Sequence, residues 1–192
     1  MPQPDHISAL GVPDPGTLDD DLQAIWAKCE EKLGFVPNVL SAYSLRPQRL
    51  RHFMQMYNDI MLAPSGLSKL EREMIAVVVS SANRCYYCLV AHGAAVRQLS
   101  GDPELGEMMA LNYRVAKLEP RQRAMLDFAW KLTTEMYLVD DADRDALSQQ
   151  GFSEADIFDI AETASFFNLS NRMASATDMM PNRAYHHVAR TQ

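Results

Sequence analysis

The stretch "LSKLEREMIAVVVSSANRCYYCLVAHGAAVRQL" limits the fold more than any other part of the chain. Ser68, followed three residues later by Glu71, has the spacing of a capping box, in which each side chain takes up a free amide at a helix start. A helix is therefore expected from there to about Ala82. Its second half, "MIAVVVSSA", is apolar on nearly every side, so no face of it can remain in water. Asn83 interrupts the pattern, and a second helix is expected from near Cys85 to about Leu99. Other elements must wrap around the first of these two helices.

Those other elements also read as helices. A helix is expected from Thr17, where Asp19, Asp20 and Asp21 suit the positive N-terminal end. Leu22, Ile25, Trp26, Cys29 and Leu33 continue it as a helical stripe, with Cys29 read as a small core residue, and Gly34 stops it. Leu50, Phe53, Met54, Tyr57, Ile60 and Met61 form a second stripe from Pro47 onward. Pro103 suits a first helical position, and Ser153 with Asp156 opens the last long helix. Runs of alternating β-branched residues are missing from the sequence. The expected class is all-α, a bundle of about seven to nine helices with the Cys-x-x-Cys at the start of a central one. Residues 1–16, with four prolines and two glycines, are expected as an extended arm, disordered or laid on a neighbouring subunit. Residues 17–180 are read as one domain and 181–192 as a C-terminal tail.

The formal net charge of −7 argues against nucleic acid as a partner, because phosphate binding needs a concentrated basic surface. Arg46, Arg49 and Arg51 cluster, but as a solvated or interface face. No run of about 18 apolar residues is present, so no membrane span is expected. The first residues have neither the basic nor the apolar region of a secretory signal, and the expected location is the cytoplasm. Met54, Met61, Met74, Met125 and Met136 fit apolar helical faces as core or interface filler. His186 and His187 are expected in solvent or at an interface. Asn168, Asn171 and Arg172 lie on an otherwise apolar helix and need partners, so they are expected to pack against another helix or subunit, with Asn168 also a candidate for the cleft. The apolar helix from Ser68 and the proline-rich arm together suggest a homo-oligomer.

Two of the three cysteines, Cys85 and Cys88, form a Cys-x-x-Cys. At about 100° per residue, Cys85, Cys88 and His92 fall within about 60° of one another on a helix. The positive end of that helix favours thiolates, and His92 is suited to accept or relay a thiol proton. A relay also needs a carboxylate. Glu71 is taken by the capping box, whereas Glu73 sits among Met74, Ile75 and Val77, where an unpaired acid is costly. The alternative for Glu73 is an exposed edge. A c-type haem site is excluded, because Leu89 stands where its histidine would follow. A zinc site of two Cys, His and Glu, or cysteines without chemistry, remain open beside a redox dithiol.

"EREMIAVVVSSANRCYYCLVAHGAAVR" resembles the alkylhydroperoxidase D family, within the carboxymuconolactone decarboxylase-like superfamily. The matching positions are Glu73, Cys85, Cys88 and His92. "GFVPNVL", "GFSEADIFDIAETASFFNLSNRMA" and "PNRAY" extend the likeness to its peroxidase-related branch, over most of residues 20–187. The resemblance implies an all-helical fold and a dithiol peroxidase with no metal or other cofactor. It implies Cys88 as the attacking thiol, Cys85 as the resolving one, and Glu73 with His92 as the proton relay. It also implies a hydroperoxide substrate, a thiol or protein dithiol reductant, and a dimer, trimer or hexamer. One departure is Tyr87, where well-known members carry a histidine; a neutral phenol is a poor shuttle but a good hydrogen-bond donor. Decarboxylase members lack the cysteine pair, so decarboxylation is not expected. The alternatives are a non-catalytic redox-sensing or assembly protein switched by the dithiol, or a metal-binding Cys/Cys/His site.

Overall fold

The structure is a computed structural model that describes residues 2–190. Met1 of the arm and residues 191–192 of the tail lie outside the described residues. Among the described residues there are nine α-helices and no strand, as the all-α reading expects. They are α1 (Asp20–Leu33), α2 (Asn38–Tyr43), α3 (Pro47–Leu62), α4 (Lys69–Ala82) and α5 (Tyr86–Ser100), then α6 (Pro103–Asn112), α7 (Pro120–Thr134), α8 (Asp141–Gln149) and α9 (Glu154–Ala176).

The expected capping box opens α4. Ser68 Oγ accepts the Glu71 amide at 3.2 Å, and Glu71 accepts the Ser68 amide at 2.8 Å. Every side chain from Met74 to Val79 is fully buried, against α5, α6, α7 and α9. At about 1.5–3 kcal/mol for each large apolar side chain buried, this one helix supplies much of the drive to fold. The burial is complete within one chain, so the apolar run does not in itself require a second subunit. Close packing of α6 on α5 depends on Gly106, where a Cβ would meet Arg97 Cγ at 2.6 Å and the Gly93 carbonyl at 3.1 Å.

Several local expectations shift. The first helix starts at Asp20 rather than Thr17, because Asp14 accepts the Gly16 amide at 2.9 Å and nucleates a separate 3₁₀ turn, Pro15–Thr17. Residues 2–10 lie along the C-terminal segment of their own chain. The Ala9 amide bonds Thr177 O, the Met180 amide bonds Ile7 O, and Arg183 donates to Gln3 O. Met61, Met74 and Met125 are buried as expected, whereas Met136 is exposed in a 3₁₀ turn. Cys29 is half-buried rather than part of the sealed core.

Candidate active site

The site begins where α4 ends. Asn83 caps α4, Arg84 turns the chain with φ of 53°, and Cys85 is extended at φ −82°, ψ 104°. Positive φ is uncommon for a non-glycine residue, and here it lets two helices fold back on each other across a very short joint. Cys85 is therefore the N-cap of α5, one residue outside the helix that was expected to contain it. Cys88 lies in the first turn. Both are free thiols, each only 1% exposed.

The two sulfurs titrate as a pair. The neighbouring Cys88 thiol, able to donate to a Cys85 thiolate, brings Cys85 down to about 6 against the opposing effect of burial. The Cys88 backbone amide, the Ser175 hydroxyl and the charge of His92 act in the same direction. Cys88 is pushed up, first by its thiol partner and then by burial, with Asn171 and Ser170 opposing. The dithiol thus gives up its first proton readily and holds the second.

The α4–α5 hairpin brings Glu73 to His92. Glu73 Oε2 lies 2.7 Å from His92 Nδ1, and both side chains are largely buried. Glu73 is 8% exposed, so it does not sit at a free edge. The edge-to-face contact of His92 with Phe167, at 4.6 Å between centroids, further fixes the ring. A carboxylate holding Nδ1 leaves Nε2 to exchange protons, the arrangement of an oriented base. His92 is four residues beyond Cys88 on α5, adjacent on one helical face.

Glu73 and His92 open onto a cavity of about 310 Å³ between α2, α3, α5 and α9. Leu40, Phe53, Met54 and Phe166 supply apolar wall, and Ser170, the neighbour of Cys88, lies at its edge. Tyr87 lines the same cavity, its hydroxyl accepting the Val39 amide at 3.0 Å. Asn168 is placed elsewhere. It bonds Asn83 and Thr133, each at 3.0 Å, and braces α9 against the α4 terminus and α7. Asn171 is the asparagine beside Cys88, and it donates to Ser80 at 3.0 Å. Among the described residues, no group of three or more His, Cys, Asp or Glu is placed to hold a metal ion. The set Cys85, Cys88, His92 and Glu73 therefore divides into a thiol pair and a carboxylate–imidazole pair.

Sequence reasoning missed Tyr57, Tyr185, Ser170 and Ser175. Tyr57 and Tyr185 also line the cavity, and Glu73 is near enough for its charge to add to burial in raising both phenols, Tyr185 to about 12. Tyr57 was legible only as one apolar stripe residue among six. The serines alternate with asparagines along α9, a polar periodicity that does not disclose which face meets α5.

Comparison with known proteins agrees with this architecture. A model of the carboxymuconolactone decarboxylase family matches residues 47–129, from α3 into α7. An uncharacterized peroxidase-related protein from Silicibacter sp. TM1040 is 58% identical, with 99% of this chain and 100% of that one covered and a TM-score of 0.94. The chain belongs to the carboxymuconolactone decarboxylase-like family. A second peroxidase-related family member, from Ralstonia eutropha JMP134, described as an alkylhydroperoxidase AhpD core, is 43% identical over 97% of this chain and 98% of that one, with a TM-score of 0.94. The debrominase Bmp8 shares the fold at a TM-score of 0.76 and 20% identity, over 97% of each chain. No curated protein matches significantly by sequence. No helix among the described residues is long and apolar enough to cross a membrane.

Proposed function

We propose that the protein is a dithiol peroxidase. It reduces organic hydroperoxides through a Cys85–Cys88 disulfide cycle, with Glu73 and His92 as the proton relay. The observation that carries this reading is the 2.7 Å Glu73–His92 pair, beside an apolar cavity and one helical turn from two proton-sharing thiols.

In the cycle, His92 Nε2 takes the Cys88 proton while Glu73 stabilises the imidazolium. The Cys88 thiolate attacks the terminal oxygen of R–O–OH. An S–O bond forms, the O–O bond breaks, and the leaving alkoxide takes the proton from His92 to depart as an alcohol. The Cys85 thiolate then attacks the Cys88 sulfenic acid. The S–S bond forms, the S–O bond breaks, and hydroxide leaves with a solvent proton as water. The two sulfurs supply both electrons, so the cycle needs no metal or other cofactor. An external thiol or protein dithiol returns the disulfide to two thiols. Tyr87, pinned by Val39, replaces no proton-transfer step in this scheme and acts as wall. Exposed Leu111, Tyr137 and Phe158, at 84%, 79% and 64%, support a homo-oligomer.

A second reading, in which Cys85 attacks and Cys88 resolves, is favoured by the lowered pKa of Cys85. Stopped-flow oxidation with an alkyl hydroperoxide tests the function, and trapping of sulfenic acid tests the assignment. Turnover is expected to vanish in both Cys85→Ser and Cys88→Ser, with sulfenic acid trapped at Cys88 in the former. Trapping only at Cys85, in Cys88→Ser, would establish the second reading. Unchanged turnover in both variants refutes the function. A disulfide that alters the mass of the assembly without turnover would make the protein a redox switch.

A further inference from the structure

We infer that the cavity beside Glu73 and His92 binds compact aryl-alkyl or tertiary-alkyl hydroperoxides, their polar head held by the hydroxyls of Tyr57 and Tyr185. The hydroperoxide head rests on the peroxidase reading; the fit of a neutral polar head on a compact apolar body does not.

Three observations lead there. First, the hydroxyls of Tyr57 and Tyr185 are open to the cavity and bond no other described residue. Buried hydroxyls ordinarily find a hydrogen bond. Tyr87, on the same cavity, has one from Val39, and Tyr113 donates to Asp127 at 2.6 Å. Among the described residues no hydrogen bond is made by the hydroxyl of Tyr57 or Tyr185. Neither oxygen is sealed in the core, as that of Tyr43 is. Both side chains line the cavity, so both hydroxyls are able to donate to a ligand held there.

Second, Glu73 selects the charge of that ligand. Its carboxylate faces the same space, and burial first and then this charge raise both phenols, which stay neutral and able to donate. A ligand bringing its own carboxylate would meet that negative charge in an apolar enclosure. A neutral head that accepts from phenols and exchanges a proton with His92 fits.

Third, the size and walls select the body. About 310 Å³ is at the small end for ligand sites, enough for a compact ligand and too little for a long acyl chain. Phe53 stacks on Phe166 at 5.3 Å, and Phe166 meets Phe167 edge-on at 5.4 Å. That aromatic wall suits an aryl or a branched alkyl group.

The test uses 2-phenyl-2-propanol, the alcohol corresponding to such a hydroperoxide, on the full chain carrying Cys85→Ser and Cys88→Ser. Binding is followed by calorimetry and by the tyrosine signals in nuclear magnetic resonance. Saturable binding is expected, weakened about fivefold by Tyr57→Phe, which keeps the ring and loses one hydrogen bond. Leu40→Trp, filling the cavity, is expected to abolish binding, with circular dichroism checking its fold. A hydroxylated octadecadienoic acid is expected not to compete. No binding of the alcohol, equal binding by Tyr57→Phe, or tighter binding of the fatty acid overturns the inference. Stopped-flow oxidation of the unsubstituted protein by cumene hydroperoxide separates the two claims. Binding without oxidation keeps the cavity assignment and removes the peroxidase reading; oxidation without binding does the reverse.

Discussion

Helix α4 passes through two different environments. From Met74 to Val79 it lies in a dry core, where the neighbours include Met109, Leu126 and Phe167. At its two ends, Glu73 and the Ser80–Asn83 turn meet a polar seam. There Glu73 takes His92, Ser80 donates to Ala76 O at 2.6 Å and accepts from Asn171, and Asn83 donates to Asn168 and Asn171. The core asks only that apolar volumes fit. The seam asks that each polar atom have a named partner, since an unpaired one costs more than a pair returns. The difference teaches that a polar residue inside an apolar run is there for a partner. Glu73 has its partner in His92. The two phenols on the cavity wall bond no other described residue and face the space in which we place a ligand.

This contrast can be broken by substitution. The largest effect is expected in the seam and on rate. Glu73→Gln or His92→Ala should slow thiol oxidation about 10²–10⁴-fold, the range for losing an acid–base group, in stopped-flow traces of the folded protein. A loss below about threefold would reduce the Glu73–His92 pair to a structural contact. In the core the effect should fall on stability. Ile75→Ala should cost about 2–5 kcal/mol in denaturant unfolding while the folded fraction keeps its oxidation rate. A large rate loss at full folding would show that core packing sets the site geometry directly.

The third effect sharpens the comparison within the thiol pair. In a Cys29→Ser background, which leaves only the pair, thiolate absorbance should rise by one equivalent with a midpoint near 6, and the second equivalent should not appear before the protein unfolds. Cys88→Ala removes the thiol that favours a Cys85 thiolate, so the first midpoint should move up toward an ordinary cysteine. The stability sign follows. The folded pKa of Cys85 is depressed, so its contribution is present above the unfolded cysteine pKa and is lost as pH falls through about 6. The raised Cys88 works the other way, penalising the fold at alkaline pH. A Cys88→Ala midpoint unchanged near 6 would place the cause outside the pair.

Much of the seam was legible because it is local. The capping box depends on two residues in one turn. The approach of Cys88 to His92 depends on helical spacing alone. The pairing of Glu73 with His92 needed one further step, that the two helices fold back at Asn83–Arg84. Tyr57 and Tyr185 were not legible, since they come from α3 and from the C-terminal 3₁₀ turn Arg183–His186, far apart in the chain. Asn168 finds its partners in Asn83 and Thr133: a polar residue on α9 must be paired, but the sequence does not say whether the partner is a ligand or another side chain.

The helices, their caps, the dithiol and the Glu73–His92 pair follow from the sequence, because these rest on contacts within a few turns of chain. The tertiary structure decided that Cys85 caps α5, that the arm returns onto its own tail, and that three tyrosines surround one cavity. Those outcomes depend on how helices cross and on what burial does to charge, and both are set by packing between segments distant in the chain.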